Sequence, residues 1–174
     1  MAILDSQAIF SRDQVIDAVT YSQRAMDLQS LADYGVGANA YIECVVNGAF
    51  TKYLRVQLVG SASDDWADLI VISDSGVKDK SELVAGHVFY VPFTLTDKRY
   101  KNICLRFIPS DDAASNDSSA TPEGTAYALE DGYAAPPKVG VDKAEVANSI
   151  SCHLVLTPTT HVEYDTVNED KFTA

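Results

Sequence analysis

Residues 53–59 read YLRVQLV and residues 100–108 read YKNICLRFI, and both stretches alternate polar with apolar side chains. Successive side chains of a β-strand point to opposite faces of its sheet, so a period of two is typical of a strand with one buried face. Residues 149–156, SISCHLVL, alternate in the same way. These three stretches predict strands that pack on a common core.

Further strands are predicted where β-branched, aromatic and other apolar residues cluster, at 40–46, 68–73 and 88–93, with weaker candidates at 14–19 and 24–28. Turn-forming residues separate most of them, at 47–48, 74–76 and 97–98. Signals for helices are poor, whereas a parallel α/β fold needs long helices between its strands. The sequence therefore predicts an all-β fold, an antiparallel β-sandwich of jelly-roll type with about eight strands.

One long interval breaks this pattern. Residues 109–148 are rich in Ser, Ala, Asp, Pro and Gly, and no basic residue precedes Lys138 in this interval. We expect a long loop insertion before the last strand, with Tyr127 and Leu129 as its apolar anchors. Residues 159–174 form a polar C-terminal tail, and the whole chain, 1–174, is expected to be one domain.

The charge of the chain is strongly negative. The sequence contains 13 Lys and Arg residues and 25 Asp and Glu residues, which gives a net charge of −12. Binding to phosphates requires clustered basic residues, so we expect neither a nucleic acid nor a membrane as partner. The acidic surface serves either solubility or the recognition of a basic partner surface.

The sequence shows no motif of a catalytic centre. It contains no glycine-rich phosphate loop and no nucleophile elbow, and its histidines (His87, His153 and His161) stand apart from one another. The three cysteines are too far apart for the usual zinc spacing and are interpreted as reduced core residues: Cys44, Cys104 and Cys152. We therefore expect a protein that is not an enzyme and has no cofactor and no metal.

Two apolar features are candidates for contact with a partner. Trp66, the only tryptophan, is flanked by acidic residues and is either an interface anchor or a cover for one end of the sandwich. Apolar residues also lie near the N-terminus, outside the clear strand candidates, and need cover from their own sandwich or from a neighbour. With the anchors of the insertion, the predicted interface residues are Ile3, Leu4, Ile9, Phe10, Trp66, Tyr127 and Leu129.

Short motifs follow one another along the chain in a characteristic order. They are ILDSQ at 3–7, QVI at 14–16, MDL at 26–28, YLRVQL at 53–58, LVAG at 83–86, RYKNICLRF at 99–107 and CHLVL at 152–156. In this order they resemble a family of small β-rich proteins that cement or decorate the capsids of tailed phages. The resemblance covers most of the chain apart from about 109–148, and His87 stands where an aromatic residue is common.

The resemblance implies a structural virion protein with a jelly-roll fold. Such a protein binds the outside of a phage capsid and stabilises neighbouring major capsid subunits. The implied partners are the major capsid protein and other copies of the chain in a small homo-oligomer. The chain would be made in the host cytoplasm and found on the virion. A jelly-roll carbohydrate-binding module is the alternative, although such modules normally carry several aromatic residues on one face.

Overall fold

The computed structural model describes residues 9–27, 40–63, 66, 68–93, 100–114, 116–120 and 146–155. These residues contain nine β-strands and no helix. The strands are β1 (Ile9–Val15), β2 (Thr20–Tyr21), β3 (Met26–Asp27), β4 (Ala40–Gly48), β5 (Tyr53–Ser61), β6 (Ile70–Lys78), β7 (Val88–Phe93), β8 (Asn102–Ser110) and β9 (Ser149–Val155).

The strands form two antiparallel sheets. Sheet A has the order β1-β9-β4-β7, and sheet B has the order β2-β8-β5-β6, with β3 also paired to β8. Every strand pair is antiparallel. The predicted all-β antiparallel sandwich is therefore confirmed.

The pairing is nested along the chain. β5 pairs with β6, β4 with β7, the broken strand β2/β3 with β8, and β1 with β9. Two additional pairs, β4 with β9 and β5 with β8, join these partners into the two sheets. Each sheet thus takes strands from both halves of the chain.

One continuous core fills the space between the sheets. β5 contributes Leu54, Val56 and Leu58, and the facing strand of sheet A contributes Ile42 and Val46, all of them fully buried. Full burial of such a side chain contributes about 1.5–3 kcal/mol. The inner faces of β7, β8 and β9 add Phe89, Val91, Phe93, Ile103, Leu105, Phe107, Ile150, Cys152 and Leu154.

The strands β4, β5, β7, β8 and β9 confirm the strands predicted in these regions, but β4 also includes residues 47–48, where a turn was predicted. The predicted turn at 74–76 is wrong, because these residues lie inside β6. There the register with β5 shifts between Arg55 and Gln57, and Gly76 takes a positive φ of 69°. An extra residue in one strand with a left-handed glycine forms a β-bulge, which bends the strand without ending it.

The N-terminal apolar residues are also placed differently from the prediction. Ile9 and Phe10 belong to β1, and Phe10 is fully buried in the core. For Phe10 the sandwich itself supplies the cover, whereas Ile9 is half-buried. Ile3 and Leu4, and the tail at 159–174, lie outside the described residues.

Asn148 holds three segments together where β9 begins. Its φ is 56°, in the left-handed region that Asn tolerates better than most residues. Its side-chain Oδ1 accepts a bond from the Thr51 amide at 2.8 Å, and its Nδ2 donates to Oδ1 of Asp17 at 2.9 Å. The backbone carbonyl of Asn148 accepts a bond from the Ile16 amide at 2.8 Å.

We predict that Asn148→Ala lowers the free energy of unfolding by about 2–3 kcal/mol, because it removes both side-chain bonds and strains the backbone. Asn148→Gly loses the same bonds but relaxes the positive φ, so its loss is smaller by about 1 kcal/mol. Urea unfolding of both variants measures the difference. Equal losses would contradict the role assigned to the backbone.

Candidate functional site

The outer face of sheet B is covered over much of β5 and β8, which the alternation of these strands did not predict. Seven successive residues of β8, 102–108, are buried, and β5 is buried from Val56 to Ser61. The inner face of each strand packs on the core, so the remaining residues must be covered from outside. Two segments of the chain provide this cover.

The first cover is an apolar cluster around Trp66. The indole packs with Val59 and Cys104, which are opposite each other on β5 and β8, and it is only 6% exposed. Tyr21, Ala25 and Leu69 pack at its margin. Trp66 therefore covers part of the outer face of sheet B, whereas the second interpretation placed it over one end of the sandwich.

The loop that carries Trp66 is fixed by a carboxylate. Oδ1 of Asp68 accepts bonds from the hydroxyls of Ser61 at 2.5 Å and Ser63 at 2.8 Å. These two bonds, of which that from Ser61 has the larger effect, lower the pKa of Asp68 from 3.8 to about 2. The ionised carboxylate thus holds the two ends of the loop together.

This interaction makes stability depend on pH. Because the folded pKa of Asp68 is below its unfolded value, the unfolded chain takes up the proton first, and stability falls as the pH drops from about 4 towards 2.

We predict that Asp68→Asn flattens the decline of the thermal midpoint between about pH 4 and pH 2. Ser63→Ala, which removes one of the two donors, should give an intermediate slope, and unchanged slopes in both variants would refute the assignment.

The second cover is the beginning of the predicted insertion, which Arg106 fastens to the sheet. Arg106 is only 5% exposed, and its Nε and Nη2 donate to Oε1 of Gln57 at 2.9 and 2.5 Å. Nη2 also donates to the carbonyl of Ser118 at 3.0 Å, and Nε2 of Gln57 donates to the same carbonyl at 3.0 Å. Two buried side chains, opposite each other on β8 and β5, therefore bind one backbone carbonyl.

Asn116 provides a second attachment for this segment. Its side chain is buried, and Nδ2 donates to the carbonyl of Ile108 at 2.8 Å. Asp117 next to it accepts bonds at Oδ1 from the amide and the hydroxyl of Ser119. These bonds lower the pKa of Asp117, with smaller contributions from the charges of Arg106 and Arg55.

The attached segment presents negative charge to solvent. Asp111, Asp112 and Asp117 are all exposed, and the one ion pair formed by Asp111 among the described residues is a distant one, with Nζ of Lys52 at 3.9 Å. An exposed pair of this kind contributes little. The start of the predicted insertion therefore presents an acidic surface, and hydrogen bonds attach this segment to sheet B.

We predict that Arg106→Met lowers the free energy of unfolding by about 2–4 kcal/mol, because it leaves Gln57 Oε1 with no donor and weakens the hold on Ser118. Amide exchange at Ser119 and Ala120 should accelerate more than exchange in β4. Arg55→Met is the matched control on the same face. Arg55 pairs with Asp74 at 3.3 Å and is partly exposed, so its loss should stay within about 1 kcal/mol. Equal effects of the two variants would contradict the role of Arg106 in attaching the segment at Ser118 to sheet B.

The outer face of sheet A carries a row of polar and aromatic side chains. Glu43 on β4 lies between His153 on β9 and Tyr90 on β7. Its Oε1 is 3.0 Å from Nε2 of His153, and its Oε2 accepts the Tyr90 hydroxyl at 3.0 Å. Burial and the neighbouring Glu43 raise the pKa of Tyr90. Tyr41 meets Tyr90 edge to face, with ring planes at 79°, so the two rings do not form a flat platform.

A second polar group lies farther along the same face. Nδ2 of Asn47 donates to Oδ1 of Asp13 at 2.7 Å and to the hydroxyl of Ser151 at 2.6 Å. The amide of Asp13, whose φ is 48°, donates to the same hydroxyl. These bonds join β1, β9 and β4 across the sheet, and their evident effect is structural.

The predicted site residues are thus only partly brought together. Phe10 is buried in the core between the sheets, Trp66 is buried on the outer face of sheet B, and Ile9 is half-buried in β1. Tyr127 and Leu129 lie outside the described residues. The interface prediction for Ile3, Leu4, Ile9, Phe10, Trp66, Tyr127 and Leu129 stays a prediction.

Sequence reasoning missed Gln57, Arg106 and Asn116. For Gln57 and Arg106 the available signal was a large polar residue in the middle of a strongly apolar strand, β5 or β8.

The three cysteines are free and buried, as predicted. Within the described ranges, no group of three or more His, Cys, Asp or Glu side chains is arranged to hold a metal ion. The same ranges contain no helix of the length and apolar character needed to cross a membrane.

A scan against models of known protein families and a search of curated proteins found no match to this chain.

Proposed function

We propose that the chain is a decoration protein that binds the outside of a tailed-phage capsid and stabilises neighbouring major capsid subunits. The proposal starts from the motif order that resembles the cement proteins. Parts of these motifs lie in strands of the sandwich, namely 14–15 in β1, 26–27 in β3, 53–58 in β5, 102–107 in β8 and 152–155 in β9, and residues 83–86 precede β7.

The strand order supports a jelly roll, the fold that the resemblance implies. With β2 and β3 counted as one broken strand, eight strands pair first with last, second with seventh, third with sixth and fourth with fifth. A long hairpin that is rolled up into two sheets has this nested order, and we infer that the sandwich is a jelly roll on that basis.

The observation that carries the proposed capsid-binding role is the acidic surface on a segment that is attached to sheet B. Arg106, Gln57 and Asn116 attach residues 116–120 to sheet B, so the carboxylates nearby do not have to be ordered when a partner binds. Charge complementarity mainly sets the rate and register of association, and apolar contacts supply most of the affinity. A basic capsid surface fits the net charge of −12.

The carbohydrate-binding alternative has weaker support. Tyr41 and Tyr90 are the aromatic pair on the outer face of sheet A, but their edge-to-face arrangement lacks the flat surface on which a sugar ring stacks.

The first test is the composition and stability of virions. Mass spectrometry of purified virions should find this chain at a copy number near that of the major capsid protein. Capsids that carry it should resist heat better than capsids that lack it. Equal heat resistance, or absence of the chain from virions, would refute the proposal.

The acidic surface is tested by neutralising Asp111, Asp112 and Asp117 together, each to Asn. Asparagine keeps the Oδ1 acceptor used by Asp112 and Asp117 in their local turns, so the loop geometry is retained. We predict slower addition to bare capsids and a weaker dependence of the rate on salt.

A control variant with the same charge change elsewhere is Asp17→Asn, Asp27→Asn and Glu82→Gln. Its addition should resemble that of the unmodified protein. If both triple variants slow addition equally, net charge alone acts, and the surface at 111–117 has no special role.

A further inference from the structure

Two of the three buried cysteines face each other across sheet A. Cys44 on β4 and Cys152 on β9 are directly opposed in register, and both are fully buried. The Sγ atoms are 3.4 Å apart, with the Cys152 thiol donating to Cys44. Cys104, in contrast, lies on the outer side of sheet B beside Trp66.

The backbone at this position already suits a covalent link. Directly opposed residues of antiparallel strands have Cα atoms about 4.5–5.5 Å apart, which falls within the range of about 4.4–6.8 Å found for disulfides. Bond formation therefore requires the two sulfur atoms to approach each other and does not require the strands to move apart or slide.

We propose that Cys44 and Cys152 form a latent cross-strand disulfide, which closes when the folded protein meets a low-molecular-weight disulfide such as oxidised glutathione. This inference is independent of the proposed function.

The exchange proceeds in two balanced steps. One cysteine loses its proton, and its thiolate attacks a sulfur of oxidised glutathione, which forms a mixed disulfide and releases one glutathione thiolate. The other cysteine then loses its proton and attacks the protein sulfur of the mixed disulfide, which releases the second glutathione. Two protein thiols are oxidised, and one glutathione disulfide is reduced to two thiols.

The reaction should be slow in the closed sandwich. Burial raises the pKa of Cys152, so little thiolate forms at neutral pH, and the reagent cannot reach the core directly. The route of access is β1, an edge strand whose register with β9 shifts on both sides of Ser11, the residue opposite Cys152. Local opening of this edge exposes the pair without unfolding the molecule.

Closure would link positions about 110 residues apart in the chain, and long closed loops restrict the unfolded state most strongly. The thermal midpoint should rise by at least about 5 °C on oxidation.

The experiment uses the full chain, purified with reduced thiols and incubated with oxidised glutathione, with and without urea below the unfolding transition. The protein is then unfolded and alkylated, and its mass gives the number of remaining thiols. The unmodified chain and Cys104→Ser should each lose two alkylatable thiols, faster with urea, and peptide mapping should identify the link between residues 44 and 152.

Cys44→Ser is the matched negative control and should form no intramolecular bridge. The proposal is overturned if the unmodified chain and Cys104→Ser keep all their thiols under both conditions. A bridge that includes Cys104 would also overturn it. So would a bridge that lowers the thermal midpoint, because it would then form only by distorting the strands.

Discussion

The pairing of β5 with β8 is the constraint on which the rest of this structure depends. Nine consecutive residue pairs, from Tyr53 with Ser110 to Ser61 with Asn102, are in register without a shift. Their inner side chains supply the centre of the core, and their outer side chains are large or apolar enough to need cover of their own. The molecule therefore has a partial third layer outside sheet B.

The two covers of that layer differ in their physical basis. Around Trp66 the contact is apolar, and a polar network of Asp68 with two serines fixes the loop from the side. Over Arg106 and Gln57 the contact is polar, and a buried guanidinium takes its partners from an amide and a backbone carbonyl. A buried charge of this kind is stable only while those partners stay in place, so the strand pair and the covering segment depend on each other.

Much of the fold could be predicted from local patterns. The alternation of 53–59 and 149–156 and the β-branched run at 40–46 correspond to β5, β9 and β4. The same patterns wrongly predicted a turn at residues 74–76, because residues typical of turns also form bulges within strands. The covered face of sheet B could not be predicted, because Gln57 and Arg106 meet only through a register that is set by residues about 50 positions apart. Alternation indicates which side chains share a face but not whether that face is in water.

The nested strand order has a kinetic consequence. β5 and β6 are joined by residues 62–69 and can pair early, whereas β1 and β9 are separated by residues 16–148 and can pair only when nearly the whole chain is available. Folds dominated by such distant pairs fold in milliseconds to seconds. During synthesis β9 emerges last of the nine strands, and both β1 and β4 need it as a partner. Until then two strand edges are open to other chains, so the emergence of β9 marks the end of the period in which the nascent protein is most prone to aggregate.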